Sequence, residues 1–266
     1  MIKTPLIFIP LLLCFSFVFL GETTLPAKAQ NAVMGYTYPY DDGELEGQLG
    51  ETPVVMELFS SQACMFCPMA DQFIADLKKR TNLIVLACHV DYFDVREGAI
   101  STPECSQQQR DYARMIRGAT LYTPQIVVNG AADYVGYEFD YLMDEVIEAS
   151  KGAALQKLAV TAVDEASANG QKRYDLDLLP FADVSGLDIW LYMVEKDHNI
   201  TIAEGANKGK KLPYVSIVRQ KEKIGRWDGR AQKVGFSVAA RAEFDSFVVL
   251  LKNDRGVILG ANQIKL

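Results

Sequence analysis

Val54-Val55-Met56-Glu57-Leu58-Phe59-Ser60-Ser61-Gln62-Ala63-Cys64-Met65-Phe66-Cys67-Pro68 carries an apolar strand pattern into a helical one, with two thiols at the junction. Residues 54–59 read as a strand, and residues 65–80 as a helix with Phe73, Ile74 and Leu77 on its buried face. The first sulfur therefore falls at a helix N-terminus, where unpaired N–H groups and the positive end of the helix dipole stabilise a thiolate. Such a thiolate attacks a disulfide, and a second thiol one helical turn away resolves the mixed disulfide intramolecularly. Cys64, nearer the helix start, is the expected nucleophile and Cys67 the expected resolving thiol. Pro68 stiffens the helix start. Met65-Phe66 brings no charge, but an apolar surface suited to a polypeptide.

Outward from this stretch, residues 83–91 form a second strand pattern. Ser101-Thr102-Pro103-Glu104 reads as a helix start of the Ser-x-x-Glu type, with the helix running to about Arg117. Residues 125–128 and 131–135 around Asn129-Gly130 predict a hairpin with a two-residue turn, and residues 139–150 a closing helix. The order to this point is β-α-β-α-β-β-α. From Leu158 onward the pattern is one of successive strands, at 158–163, 173–179, 187–194, 215–220, 234–239, 247–251 and 257–260. Turns are expected at 168–170 and 253–256, and an antiparallel β-sandwich is the natural packing.

The first residues set the compartment. Lys3, the apolar run from Leu6 to Leu20 and Ala27-Lys28-Ala29 before Gln30 read as a secretory signal peptide, so the protein is expected to be exported, periplasmic or secreted. The expected divisions are 1–29 signal peptide, 30–50 an N-terminal arm, 51–153 an α/β domain and 154–266 an all-β domain. Membrane association is expected only through the first segment where it stays uncleaved. Removing it takes away Cys14 and leaves Cys64, Cys67, Cys88 and Cys105. It also removes Lys3, Glu22 and Lys28, a net +1, so the charge moves from −7 to −8. An acidic chain with no basic stripe excludes nucleic-acid binding.

The element order, Cys-x-x-Cys after the first strand and Thr123-Pro124 before the third, resemble the thioredoxin fold. The resemblance implies a cis Pro124 facing the dithiol. Glu57 to Cys64, His89 to Asp94, Gln109-Arg110-Asp111-Tyr112-Ala113, Tyr122 to Gly130 and Gly205 to Leu212 further resemble a family of exported bacterial thioredoxin-like proteins labelled domain of unknown function 1223. The expected fold class is thus an α/β thioredoxin-like domain followed by an all-β, sandwich-like domain. The family pattern implies aromatics where Cys88 and Cys105 stand, and on that ground a structural Cys88–Cys105 disulfide is expected, with a second redox relay as the alternative. A bridge there closes a loop worth about 3 kcal/mol in the chain-entropy model.

Supporting roles are expected of four positions besides Pro124. An antiparallel third strand brings Thr123 and Pro124 beside Cys64. Glu57 is a polar residue in a core strand, either a proton relay near the dithiol or the partner of a Lys or Arg. His89 and Asp91 share one strand face, either tuning Cys64 or forming a hydrogen-bonded pair that pins the next loop. The Gly205 to Leu212 segment lacks the context of a phosphate loop and reads as a long solvated hairpin loop, while the resemblance implies a family feature reaching toward the dithiol or a partner. The function expected is thiol-disulfide oxidoreduction with a protein thiol or disulfide partner or a redox donor, with no cofactor and no resident metal. Two other classes stay open. One is a copper or zinc carrier using Cys64, Cys67 and Met69 or His89, and the other a non-catalytic interaction protein in which a Cys64–Cys67 disulfide is a permanent staple.

Overall fold

β1 (Val54–Ser60) is buried along its whole length, and the molecule is built outward from its two faces. The computed structural model describes residues 32–33, 36–37, 45, 47–80, 82–93, 99–152, 155–163, 171–181, 184, 186–239 and 241–266. The expected signal peptide and the turn at 168–170 lie outside them. Among the described residues no helix is long and apolar enough to cross a membrane.

After β1 come α1 (Cys67–Leu77), β2 (Leu83–His89), α2 (Pro103–Met115), β3 (Gln125–Val128), β4 (Ala132–Val135) and α3 (Phe139–Lys151). The four strands form one sheet in the order β2-β1-β3-β4, with β1 parallel to β2 and antiparallel to β3. Several boundaries differ from expectation for local reasons. Helix α2 is capped by Thr102, whose hydroxyl accepts from the Cys105 N–H at 3.3 Å, and not by Ser101. Helix α1 begins at Cys67, since Met65 and Phe66 belong to the preceding turn, and ends at Leu77 where its apolar stripe stops. The hairpin loop is three residues, 129–131, because Val128 pairs with Ala132. Its tip needs a glycine: Gly130 has φ +66°, and a Cβ there would lie 2.1 Å from the Gly256 carbonyl oxygen.

The strands after α3 are β5 (Gln156–Lys157), β6 (Ala159–Val163), β7 (Gln171–Leu178), β8 (Leu187–Glu195), β9 (His198–Thr201), β10 (Lys211–Tyr214), β11 (Val218–Trp227), β12 (Gln232–Ala239), β13 (Phe244–Lys252) and β14 (Ile258–Lys265). They make a five-stranded sheet β11-β8-β13-β14-β5, a three-stranded sheet β12-β7-β6 and the hairpin β9-β10. Expected strand 215–220 is displaced to β11, and β9 and β10 escape the strand pattern altogether, being too short and polar to show alternation.

Period-2 alternation assigns each strand to two layers at once. Val54, Met56 and Leu58 pack with Phe73, Ile74, Leu142 and Val146 of the helices. Val55 and Phe59, with Ile84 and Leu86 of β2, pack instead against Tyr192, Val194, Val248 and Leu250 of the five-stranded sheet. On β13 the odd positions Phe247, Val249 and Leu251 turn the other way, onto Leu176 and Leu178 of the three-stranded sheet. The result is a stack of helices, four strands, five strands and three strands. This corrects the expected fold class. The chain is mostly β, 46% strand against 20% helix, with three helices and several small sheets among the described residues, not a thioredoxin-like α/β domain with a sandwich appended. The physical reason is that strand and helix alternation specifies local elements but not what covers the second face of β1. In this protein strands from the C-terminal half cover it, together with Cys105 and Tyr112 of α2.

The seam between those sheets holds a buried ion pair. Glu57 lies between Val55 and Phe59 on that face, and Lys252 follows Val248 and Leu250. Their Oε1 and Nζ stand 3.2 Å apart, with both residues buried. Tyr112 donates its hydroxyl hydrogen and Gln108 its amide hydrogen to the Glu57 carboxylate. Lys252 Nζ donates to the Tyr112 and Tyr192 oxygens at 2.9 and 3.0 Å. Burial alone would lower the Lys252 pKa, but the facing Glu57 charge holds it well above its ordinary value, so the ammonium persists. Of the two readings of Glu57 the lysine pair is the one found, and not the proton relay: its carboxylate faces away from α1 and pairs with Lys252. Cys88 and Cys105 are bridged on the same face, tying β2 to the first turn of α2.

Removing one partner of this pair strands a buried charge, so Lys252→Met is expected to cost about 3–5 kcal/mol of unfolding free energy. The double replacement Glu57→Leu with Lys252→Met should recover much of that loss. Urea denaturation of the set checks it; a Lys252→Met loss no larger than that of an exposed lysine would show that the pair does not hold the seam.

Candidate functional site

The turn between β1 and α1 places Cys64 half-buried at the surface and Cys67 fully buried at the first position of the helix. The two sulfurs are not bonded to each other. The Ser61 N–H points at the Cys67 sulfur at 3.4 Å, and the Cys64 sulfur lies 3.5 Å from the Thr123 carbonyl oxygen. The antiparallel β3 thus brings Thr123 to Cys64, and the Thr123–Pro124 bond is cis.

The two sulfurs are electrostatically unlike. A hydrogen bond from Cys67 pulls the Cys64 pKa down to about 6 against the opposing effect of burial, and the Thr123 side-chain hydroxyl and the backbone N–H groups of Phe66 and Cys67 add to the lowering. Burial, the hydrogen bond to Cys64 and the charge of Asp71 push the Cys67 thiol well above its ordinary value. At neutral pH Cys64 is a thiolate with access to solvent and Cys67 a buried thiol. That is the asymmetry required of an attacking and a resolving sulfur.

A buried carboxyl group does stand beside the dithiol, but it is Asp71 and not Glu57. Asp71 lies one turn after Cys67 on the buried face of α1. Burial raises its pKa to about 8, with the neighbouring Ser60 hydroxyl opposing the rise and the Cys64 charge adding to it. His89 approaches it, with Nε2 3.8 Å from Asp71 Oδ1, and packs edge-on to Tyr214. The expected kinship of His89 and Asp91 does not hold. Asp91 instead accepts from the Ser106 hydroxyl and takes its backbone N–H to Ser106 Oγ at 2.9 Å, pinning the start of α2 to the end of β2. Asp71 could have been found in the sequence as the polar interruption of the stripe Cys67, Ala70, Phe73, Ile74 and Leu77.

The segment bearing Thr123 is fixed from below. Gln109 donates to the Tyr122 carbonyl oxygen at 2.7 Å and to Gln125 Oε1 at 2.8 Å, and accepts from the Tyr92 hydroxyl at 2.8 Å. Gln125 and Tyr122 both reach Asp133. Met65 and Phe66, which separate the two thiols, and Tyr92, Phe93 and Leu121 are exposed although large and hydrophobic. The loop after β9, expected to be solvated, is instead anchored at the site. Asn207 is fully buried and donates to the Gln62 and Cys64 carbonyl oxygens at 3.0 and 2.7 Å. No periodicity signals such a contact, and only the recurrence of Gly205 to Leu212 in the family pattern pointed to it.

The model of a family described as "Protein of unknown function (DUF1223)" matches residues 55–252, a span running from β1 to the last residue of β13 and so containing both partners of the buried ion pair. The chain belongs to the DUF1223 family. Among solved structures, this DUF1223 protein is similar to protein AGR_C_4864 from Agrobacterium tumefaciens, at 23% identity and a TM-score of 0.64, covering 80% of this chain and 94% of that one. It is also similar to HBP35 of Porphyromonas gingivalis, at 13% identity and a TM-score of 0.56, over 82% of this chain and 76% of that one. These likenesses show the fold alone. No curated protein matches the chain.

The Asp71 pKa gives a pH prediction for the DUF1223 protein. Folded Asp71 keeps its proton up to about pH 8 whereas the unfolded carboxyl releases it near 3.8, so the folded state binds more protons and stability falls as pH rises between those values. Asp71→Asn should remove that slope. The variant's stability advantage over the parent, measured by urea melts across the window, should grow with pH and level off above it. An advantage that shrinks with rising pH would show Asp71 to be ionised in the fold.

Proposed function

We propose that this protein is an exported thiol-disulfide oxidoreductase acting on disulfides of polypeptides, with Cys64 as nucleophile and Cys67 as resolving thiol. The observation that carries the reading is the asymmetry of the pair, a half-buried thiolate hydrogen-bonded by a buried thiol. An inert staple has no need of either property. The apolar rim of Met65, Phe66, Phe93 and Leu121 supports a polypeptide over a small thiol as partner, since such side chains gain by covering one another.

In the forward direction the Cys64 thiolate attacks one sulfur of the substrate disulfide. A Cys64–substrate disulfide forms and the other substrate sulfur leaves as thiolate. The Cys64 charge is then gone, and with it one of the causes that raise the Asp71 pKa, so Asp71 becomes the stronger acid and gives up its proton to the departing substrate thiolate. That carboxylate takes the proton of Cys67. The Cys67 thiolate then attacks Cys64, forming the Cys64–Cys67 disulfide and releasing the second substrate thiolate, with two electrons passed to the substrate. The reverse sequence oxidises a substrate dithiol. Stabilising the Cys64 thiolate stabilises the reduced pair, which inclines the protein toward accepting electrons.

Export is supported from two directions. The first residues carry Lys3, the Leu6 to Leu20 run and Ala27-Lys28-Ala29, and Cys88 and Cys105 are disulfide-bonded, as suits an oxidising compartment. The carrier reading finds no comparable support: among the described residues no three His, Cys, Asp or Glu side chains converge as a metal site.

Trapping tests the assignment. Cys67→Ser should accumulate mixed disulfides with partner proteins, recovered on non-reducing gels and released by reductant, while Cys64→Ser should trap none. Equal trapping by the two variants would reverse or abolish the roles assigned to the two sulfurs. An assay of disulfide exchange in a model peptide should lose essentially all turnover in Cys64→Ser, and Asp71→Asn should slow the resolving step while leaving the first attack in place.

A further inference from the structure

The carbonyls of the dithiol turn pose an accounting problem. In a continuing helix the Cys64 carbonyl would accept from the N–H of residue 68, but residue 68 is proline and has none. The Gln62 carbonyl would accept from the Phe66 N–H, but that group and the Cys67 N–H face the Cys64 sulfur. Both carbonyls are therefore left without local donors, in a place where one of the two residues is buried and the other half-buried.

Asn207 supplies both bonds from 143 residues beyond Cys64. Its amide nitrogen has two hydrogens, and they go to the Gln62 and Cys64 oxygens at 3.0 and 2.7 Å. Its Oδ1 accepts from Lys210 Nζ at 3.0 Å, which fixes which way round the amide sits. The loop is folded to deliver it: the Lys208 N–H bonds the Gly205 oxygen, Gly209 the Ile202 oxygen and Lys210 the Asn207 oxygen. Gly205 and Gly209 have φ near +80°, where other residues are strained. β10, which follows the loop, packs on α1.

We propose that Asn207 is a positioning residue of the dithiol site: by taking the Gln62 and Cys64 carbonyls, it frees the Phe66 and Cys67 N–H groups to face the Cys64 sulfur. The C-terminal half thereby sets the reactivity of a thiol without contributing a sulfur of its own. Without the Asn207 amide, the Gln62 carbonyl competes for the Phe66 N–H and the turn relaxes toward an ordinary helix start, at the expense of the thiolate. The inference rests on the dithiol reading above, but concerns only the state of Cys64.

The test is the pH profile of Cys64 alkylation by iodoacetamide in the reduced protein, with the modified thiol identified by peptide mass spectrometry and folding followed by thermal melts. The parent should inflect near pH 6. Asn207→Ala should move the inflection upward, and a move of one unit lowers the rate at pH 6 by about fivefold. Asn207→Asp, which presents an acceptor to two carbonyls, should move it further. Lys208→Ala, on the same loop but exposed, should leave it in place. Lys210→Met, which releases the amide without opening the core, should move it in the same direction by less. Superimposable profiles for the parent and a folded Asn207→Ala would overturn the proposal. So would a Lys208→Ala shift as large as that of Asn207→Ala, or, where the Asn207 variants do not fold, an unchanged Lys210→Met. A parent that inflects at the ordinary thiol value would instead overturn the dithiol reading itself.

Discussion

The ion pair of Glu57 and Lys252 is the constraint on which the rest of the structure depends. Two opposite charges taken out of water are tolerated only when they face each other with their remaining hydrogen-bonding capacity used, and in this seam the phenols of Tyr112 and Tyr192 and the amide of Gln108 complete that capacity. Apolar contacts alone would let the four-stranded and five-stranded sheets slide or rotate, since one valine surface fits another in several ways. A single charge pair between residues 195 apart has one low-energy register. The cost of any other arrangement is a buried, unpaired charge.

Helix α2 carries that register to the dithiol. Its consecutive residues Gln108 and Gln109 serve different networks: the first bonds Glu57 at the seam, the second bonds the Tyr122 carbonyl and Gln125 beneath Thr123-Pro124. Tyr112, one turn on, returns to Glu57, and Ser106, at the start, holds Asp91 at the end of β2. Cys105 ties the same helix covalently to β2. A movement of α2 would therefore alter the seam and the floor of the candidate site together.

The sequence made individual elements legible wherever one face is apolar and one polar. The closing helix, expected at 139–150, is Phe139–Lys151, and the strand at 54–59 is Val54–Ser60, because Val, Leu and Phe at those positions permit little else. The dithiol and its proximity to Thr123 were also legible, since both follow from a short motif and one antiparallel pairing. What escaped was the assembly of layers. Val55, Glu57 and Phe59 look the same in sequence whether helices or strands cover them, and nothing local to Glu57 names Lys252 as its partner. The role of Glu57 stayed open between relay and ion pair, and Asp71 went unnoticed, for the same reason: a polar residue in a buried strand and one in a buried helical stripe give similar signals, and only the layer each faces tells them apart.

That ambiguity has a physical counterpart in how the work is divided between the two carboxyl groups. Both Glu57 and Asp71 are buried, and they differ in what faces them. Glu57 is paired with the Lys252 ammonium and accepts from the Tyr112 phenol and the Gln108 amide, so it acts as a fixed joint. Asp71 faces a thiolate and an imidazole 3.8 Å away, with no lysine or arginine paired to it among the described residues, so its proton is held until the neighbouring charge changes. A permanent counter-charge makes a buried acid structural, whereas a neighbouring charge that would appear and disappear in the reaction proposed for Cys64 makes it responsive. The two faces of β1 thus separate a carboxylate locked in an ion pair from a carboxyl on α1 whose proton answers to the charge of Cys64.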